Sequence, residues 1–305
     1  MTLVAVVSCL LLAAPPITAL AIAPDGSHCL AASQAGVLVL ALPDLERQAT
    51  LETALPHVHH LAFSPRGERL AIAGGSPAEA GSVEIWNWPM RQRERTLAAG
   101  DDVAYRASWN GDGSRLAVAG GDKTIRLLSP AGGDAPSIYE CHSAAALCVI
   151  WLPQDAVISG GADQAIRVLD SQSGKVVRSL DNHTAAVRDL AVRPGTDDGL
   201  ALVASCSADR TVRFWQPAIG RLVRFARLAS PPTALAWTPS GSHVLAACED
   251  GRLRAVDPVT IAVVELPGGL SGWAYAVAIL PGGKSAILGG QQGELRIVPL
   301  DAINR

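Results

Sequence analysis

The sequence predicts an all-β protein, a seven-bladed β-propeller, and three observations carry that expectation. First, an apolar residue closes a short alternating run and precedes a Pro/Gly/Asp-rich turn seven times, at Ile22, Phe63, Trp109, Trp151, Val192, Trp237 and Ile279. The gaps between these anchors are 41, 46, 42, 41, 45 and 42 residues, the period of a blade made of short strands and turns. Second, the chain is 49% hydrophobic and 17% charged while aromatic residues supply only 4%. Its apolar content is mostly Ala and Val, small and β-branched side chains that suit closely stacked sheets. Third, one kind of turn recurs between the second and third strands, in GGDKTIRLL, GGADQAIRVLD, SCSADRTVRFW and ACEDGRLRAV. Asp122, Asp163, Asp209 and Asp250 occupy its equivalent position, where a carboxylate bonds nearby backbone N–H groups.

Seven units of this period use nearly all of the 305 residues, so residues 1–305 read as a single propeller domain. In chain order, Met1 to Ala14 comes first. The stretch from Leu10 to Gly26, LLLAAPPITALAIAPDG, matches FARLASPPTALAWTPSG from Phe225 to Gly241 almost position by position. By that match Val4 to Leu12 is an outer strand. The last unit has a second strand (SAILGG) and a third (GELRIVPL) but no fourth. The N-terminal outer strand is therefore expected to complete the last blade and close the ring, which removes an open sheet edge. The other reading of Met1 to Ala14 is the apolar core of a cleaved export signal, although no Lys or Arg precedes it. It is too short to span a membrane.

Each repeat then gives an inner strand ending at its anchor, a turn, a second strand rich in Ala, Gly and Ser, a tight turn, a third strand, and a variable connection through the outer strand. The longest insertion, SPAEAGS from Ser76 to Ser82, is expected to be a surface loop. Arg91, Arg93 and Arg95 form the one basic cluster and are expected in a solvated hairpin turn after Trp88. The six cysteines, Cys9, Cys29, Cys141, Cys148, Cys206 and Cys248, contain no CxxC pair, so zinc, iron–sulfur and covalent haem signatures are missing. They read as free thiols in a reducing, cytoplasmic compartment, with Cys29, Cys206 and Cys248 serving as small buried hydrophobes. A Cys141–Cys148 disulfide stays open on spacing alone.

Two segments carry a family resemblance. SCSADRTVRFW resembles the end of a WD repeat, and DNHTAAVRDLAVRPG resembles its start with Asn182-His183 in place of Gly-His. The chain is thus similar to the WD-repeat family. That resemblance implies a hydrogen-bonded structural tetrad in the fifth repeat of Trp215, Ser205 or Ser207, His183 and Asp209. Elsewhere the Trp215 position holds Leu40, Leu128, Leu169, Val256 and Val298, only Trp86 matches, and His142 keeps the His position without its Trp. The resemblance also implies a scaffold that works inside a larger complex.

Positions four residues before the anchors should line the entrance of the central channel: Thr18, His59, Tyr105, Leu147, Arg188, Thr233 and Tyr275. Three before, they are Ala19, His60, Arg106, Cys148, Asp189, Ala234 and Ala276. One carboxylate and two adjacent histidines are too few for a metal or an acid–base site. The turn glycines lead into strands rather than helices, so they do not form phosphate loops. No enzyme activity, cofactor or metal is expected. A recognition surface fits better, because aromatic and Arg side chains anchor protein interfaces. The candidate partner-binding residues are His59, His60, Tyr105, Arg106, Arg188, Asp189, Trp273 and Tyr275. A net charge of −3 offers no cationic field for nucleic acid. The function expected is non-catalytic binding of a protein or peptide on one face, by a monomeric propeller within a hetero-complex. The alternative is an exported propeller that binds a small ligand or has hydrolase- or lyase-type activity.

Overall fold

The computed structural model describes residues 14–152, 155–195 and 200–303. They form seven antiparallel sheets, six of four strands and one of three, each winding outward in sequence order. The inner strands are Ala19–Ile22, Val58–Phe63, Ala104–Trp109, Ala146–Trp151, Val187–Val192, Pro232–Trp237 and Ala274–Ile279. All seven end on the anchors read from the sequence. The architecture is therefore a seven-bladed propeller, numbered here from blade 1 at Ile22 to blade 7 at Ile279. Among the described residues blade 7 has three strands. The expected outer strand from Val4 to Leu12, and the export-signal reading of Met1 to Ala14 in all but its last residue, lie outside the described residues, as does Cys9.

Seven apolar clusters fill the seven seams between neighbouring blades. The second strand of blade 2 shows why. Leu70 and Ile72 pack toward blade 1, while Ala71 and Ala73 pack toward blade 3. Buried on both faces, such strands lose hydrophobic alternation and become Ala/Val/Ile-rich. In the turns that follow the inner strands, Gly26 (φ +71) and Gly67 (φ +72) take the left-handed conformation. A Cβ on Gly26 would lie 2.8 Å from Pro281, and one on Gly67 the same distance from Pro24. Glycine is required there by conformation and by the close approach of the preceding blade.

An inner strand pairs on one side only, so its other edge needs partners. Side chains from neighbouring blades supply them. Thr18 Oγ1 donates to Val58 O at 2.6 Å and Thr233 Oγ1 to Ala274 O at 2.6 Å. The indole N–H groups of Trp109 and Trp237 reach Ala62 O at 2.9 Å and Ala191 O at 3.0 Å. Trp151 occupies the same anchor position, but its buried Nε1 has no partner among the described residues.

Blade 5 contains a complete hydrogen-bond chain. Trp215 Nε1 donates to Ser205 Oγ (2.8 Å), His183 Nε2 lies 2.7 Å from the same oxygen, and His183 Nδ1 lies 2.8 Å from Asp209. Ser205 fills the hydroxyl position; Ser207 instead donates to Ala185 O and accepts from the Asp209 N–H. Blade 4 keeps a shorter chain, Ser159–His142–Asp163, with Leu169 in place of the indole. Blade 2 solves the indole problem differently: buried Glu84 accepts from Trp86 Nε1 (2.9 Å), Arg93 (2.7 Å) and the Ala54 N–H (2.8 Å).

Two local expectations are corrected. The 76–82 insertion is not a loop: Arg69–Ser76 and Ala80–Asn87 extend as a paired hairpin through Gly75↔Gly81 and Ser76↔Ala80. The basic cluster is not a solvated turn. Only Arg91 sits in the turn, with its guanidinium 5.5 Å from the Trp88 ring, while Arg93 and Arg95 lie on the outer strand Gln92–Gly100. Outer strands face solvent on the rim, so a polar run such as QRERT is compatible with strand there. Cys29, Cys141, Cys148, Cys206 and Cys248 are free thiols, so Cys141 and Cys148 are not joined. No helix among the described residues is long and apolar enough to cross a membrane.

Candidate functional site

Because every inner strand runs in the same direction about the axis, residues four before the anchors all meet at one end of the channel. Thr18, His59, Tyr105, Leu147, Arg188, Thr233 and Tyr275 surround a well of about 290 Å³. The well opens into a wider mouth of about 520 Å³, to which Pro16 and Trp273 are added. Of the residues three before the anchors, Ala19, His60, Arg106, Asp189, Ala234 and Ala276 also line the well. Cys148 does not: its thiol is buried and turned toward the carbonyls of Gly160 and Val187.

The mouth is aromatic along one arc. The rings of His59 and Tyr105 meet edge to face with centroids 5.3 Å apart, and those of Trp273 and Tyr275 do so at 6.1 Å. Trp273 is 43% exposed. Burial, reinforced by His57, pushes the His59 imidazole below its ordinary pKa. Burial, with a smaller contribution from Asp102, raises the Tyr105 phenol.

The floor is polar but internally matched. Arg106 of blade 3 forms an ion pair with Asp189 of blade 5 and also donates to Leu190 O. Asp189 is 4% exposed and accepts from the N–H groups of Leu190 (2.7 Å) and Leu235 (2.8 Å). One carboxylate thereby ties blades 3, 5 and 6 together. Burial raises its carboxyl above the usual value, against the opposing pull of Arg106 and those donors. Arg106 and Asp189, both expected as partner-binding residues, pair with each other although they stand 83 positions apart in the sequence. Burial and the Arg106 charge push His60 well below the ordinary histidine value, and its Nδ1 has no partner among the described residues. Arg188 pairs with Glu249 at 2.7 Å, a contact between blades 5 and 6 that no local pattern announces.

His59, Tyr105, Arg188, Trp273 and Tyr275 are thus gathered at the mouth, whereas His60, Arg106 and Asp189 form the floor. His183, Ser205, Ser207, Asp209 and Trp215 belong to the fabric of blade 5. Among the described residues no group of three His, Cys, Asp or Glu side chains converges as a metal site would require.

Comparison with known proteins places this geometry. The family described as WD domain, G-beta repeat matches residues 92–129, 174–216 and 227–257. Those matches identify WD repeats within the seven-bladed ring. The matched segments of this propeller fall mainly on blades 3, 5 and 6, and the second contains the whole tetrad. Similar proteins include the nuclear distribution protein PAC1 of Arthroderma otae, 25% identical over 80% of this chain and 59% of the relative. Others are ROOT INITIATION DEFECTIVE 3 of Arabidopsis thaliana, 26% identical over 57% of this chain and 42% of that one, and the WD repeat-containing protein srw1 of Schizosaccharomyces pombe, 27% identical over 59% and 32%. The chain spans well under two thirds of the length of these relatives. A chain in a crystal structure of the Mitotic Checkpoint Complex superposes with a TM-score of 0.80 at 19% identity, covering 93% of this chain and 87% of that one. At that identity the likeness concerns the fold.

Proposed function

We propose that this WD-repeat propeller is a non-catalytic scaffold that binds a protein or peptide partner at the mouth of its central well. The observation that carries the reading is the convergence of His59, Tyr105, Leu147, Arg188, Trp273 and Tyr275 from five blades on one opening. Aromatic and arginine side chains bury large area at modest entropic cost, which makes them the usual anchors of an interface. Catalysis is disfavoured by the floor: its one carboxylate already accepts from Arg106, Leu190 and Leu235, which leaves no free carboxylate to act with the histidines as an acid–base pair.

The propeller acts within a larger hetero-complex, as a rigid ring with one loaded face would. The similarity to a chain from the Mitotic Checkpoint Complex supports this only at the level of fold. The five cysteines among the described residues are free thiols, which fits a reducing, cytoplasmic compartment. Affinity capture with the wild type, with Tyr105→Ala/Arg188→Ala, and with Arg115→Ala tests the reading. Arg115 is exposed at the opposite end of blade 3. A partner held by the wild type and Arg115→Ala but lost from the folded double variant supports the mouth. Retention by the double variant moves the site elsewhere.

A further inference from the structure

The chemistry of the well restricts what the partner can place in it, an inference that rests on the binding role proposed above. Every formal charge on its wall has a counter-charge inside the protein. Arg106 is paired with Asp189, and Arg188 with Glu249 at 2.7 Å. Asp189 already takes two backbone N–H bonds as well. An acidic side chain entering the well would leave water for arginines that are already neutralised. A basic side chain would find the carboxylate saturated. The aromatic arc alone would attract a cation, but every carboxylate at the well is already held by an arginine of the protein, so a buried cation would have no counter-charge. An unpaired charge taken out of water is strongly disfavoured.

Open valence of another kind remains. No described residue hydrogen-bonds the hydroxyls of Tyr105 or Tyr275, and both line the mouth. The rings of His59, Tyr105, Trp273 and Tyr275 already meet edge to face in pairs, and Leu147 and Pro16 supply apolar wall between polar positions. A flat ring with one polar tip matches both features: its faces and edges pack against these rings, and its O–H or N–H meets a tyrosine hydroxyl.

We propose that the well admits an uncharged aromatic side chain of the partner, a tyrosine or a tryptophan, and excludes acidic and basic side chains. The well of about 290 Å³ accommodates one such group.

The test titrates the full chain with the N-acetyl amides of tyrosine, tryptophan, arginine and glutamate. Ring signals of His59, Tyr105 and Tyr275 are followed by NMR and assigned through single substitutions. The tyrosine or tryptophan amide is expected to give saturable shifts at these rings, at least tenfold tighter than the arginine and glutamate amides. Leu147→Trp, which fills the mouth from its rim, is expected to abolish the shifts. Equal or tighter binding of a charged amide overturns the proposal, and so does the absence of saturable shifts with all four. The two readings fail separately. A partner lost from Tyr105→Ala/Arg188→Ala alongside a charged-amide preference keeps the binding face and removes this inference. Aromatic amides at the rings with a partner unaffected by that double variant does the reverse.

Discussion

Replacing Asp209 with alanine removes a carboxylate that is 4% exposed and accepts four hydrogen bonds. Its donors are the Thr211 N–H (3.0 Å), the Thr211 hydroxyl (2.6 Å), the Thr184 N–H (3.2 Å) and His183 Nδ1 (2.8 Å). Burial pushes this carboxyl up, yet the bonds from Thr211 and His183 outweigh it and hold the pKa at about 2, from an ordinary 3.8. At 1.36 kcal/mol per unit, that difference corresponds to about 2 kcal/mol of folding stability at neutral pH. Alanine also leaves the 3%-exposed His183 and the 2%-exposed Thr211 with unpaired donors, each costing about 1 kcal/mol or more. The expected loss is about 3–5 kcal/mol. The equivalent Asp250 is the control. Its side chain is 37% exposed, and Arg254 keeps Glu265 at 2.8 Å when Asp250 is gone. Asp250→Ala should therefore cost only about 1 kcal/mol. Denaturant midpoints at pH 7 with unchanged m-values measure both. Because the folded-state pKa of Asp209 is depressed, its contribution is fully present above about pH 4 and fades as pH falls toward 2. The gap between the two variants should shrink over that window. Equal losses at pH 7, a reversed order, or a gap indifferent to acid would refute the reasoning.

Three further outcomes are expected. Trp151→Phe should cost about 1 kcal/mol less than Trp109→Phe or Trp237→Phe, because only the latter two lose a cross-blade indole bond; comparable losses in denaturant melts would contradict this. Glu84→Ala should destabilise by about 2–4 kcal/mol, since it strands Trp86 Nε1 and the Ala54 N–H in blade 2, and a loss below about 1 kcal/mol would show that blade 2 does not depend on it. Burial lowers His59, His60, His142 and His183 below the ordinary histidine pKa, so the unfolded chain binds more protons once pH drops beneath about 6.5. Stability should be flat above that value and decline toward pH 5, with a shallower decline in His60→Gln than in the wild type; potentiometric or calorimetric proton uptake on unfolding checks it.

The ring was legible because each inner strand ends in a turn whose Pro, Gly and Asp residues stand out from the apolar run before it, as at Ala62-Phe63-Ser64-Pro65. The mouth was legible for the same reason, since counting back from fixed strand ends gives residues at one height on the axis. The expected tetrad residues come together in space because the turn spacing of blade 5 keeps His183 opposite Ser205. What stayed hidden depends on contacts that no local pattern encodes. Glu84 alternates within its strand like a solvent-facing residue, yet it is fully buried under Arg93. The Arg106–Asp189 pair joins blades that are not neighbours, and Glu249 reaches Arg188 from a turn of blade 6. The paired hairpin at 76–82 was obscured by its Ser, Pro and Gly content, which reads as loop although backbone pairing continues through Gly75 and Gly81.

The central claim is that a partner sits at the mouth of the well. Site-specific photo-crosslinking tests it most directly, with a benzophenone amino acid placed at Trp273 on the mouth or, separately, at Phe225 on the outer rim of blade 5, 49% exposed. The account predicts a partner adduct from position 273 and none from position 225. Adducts from position 225 alone would contradict it.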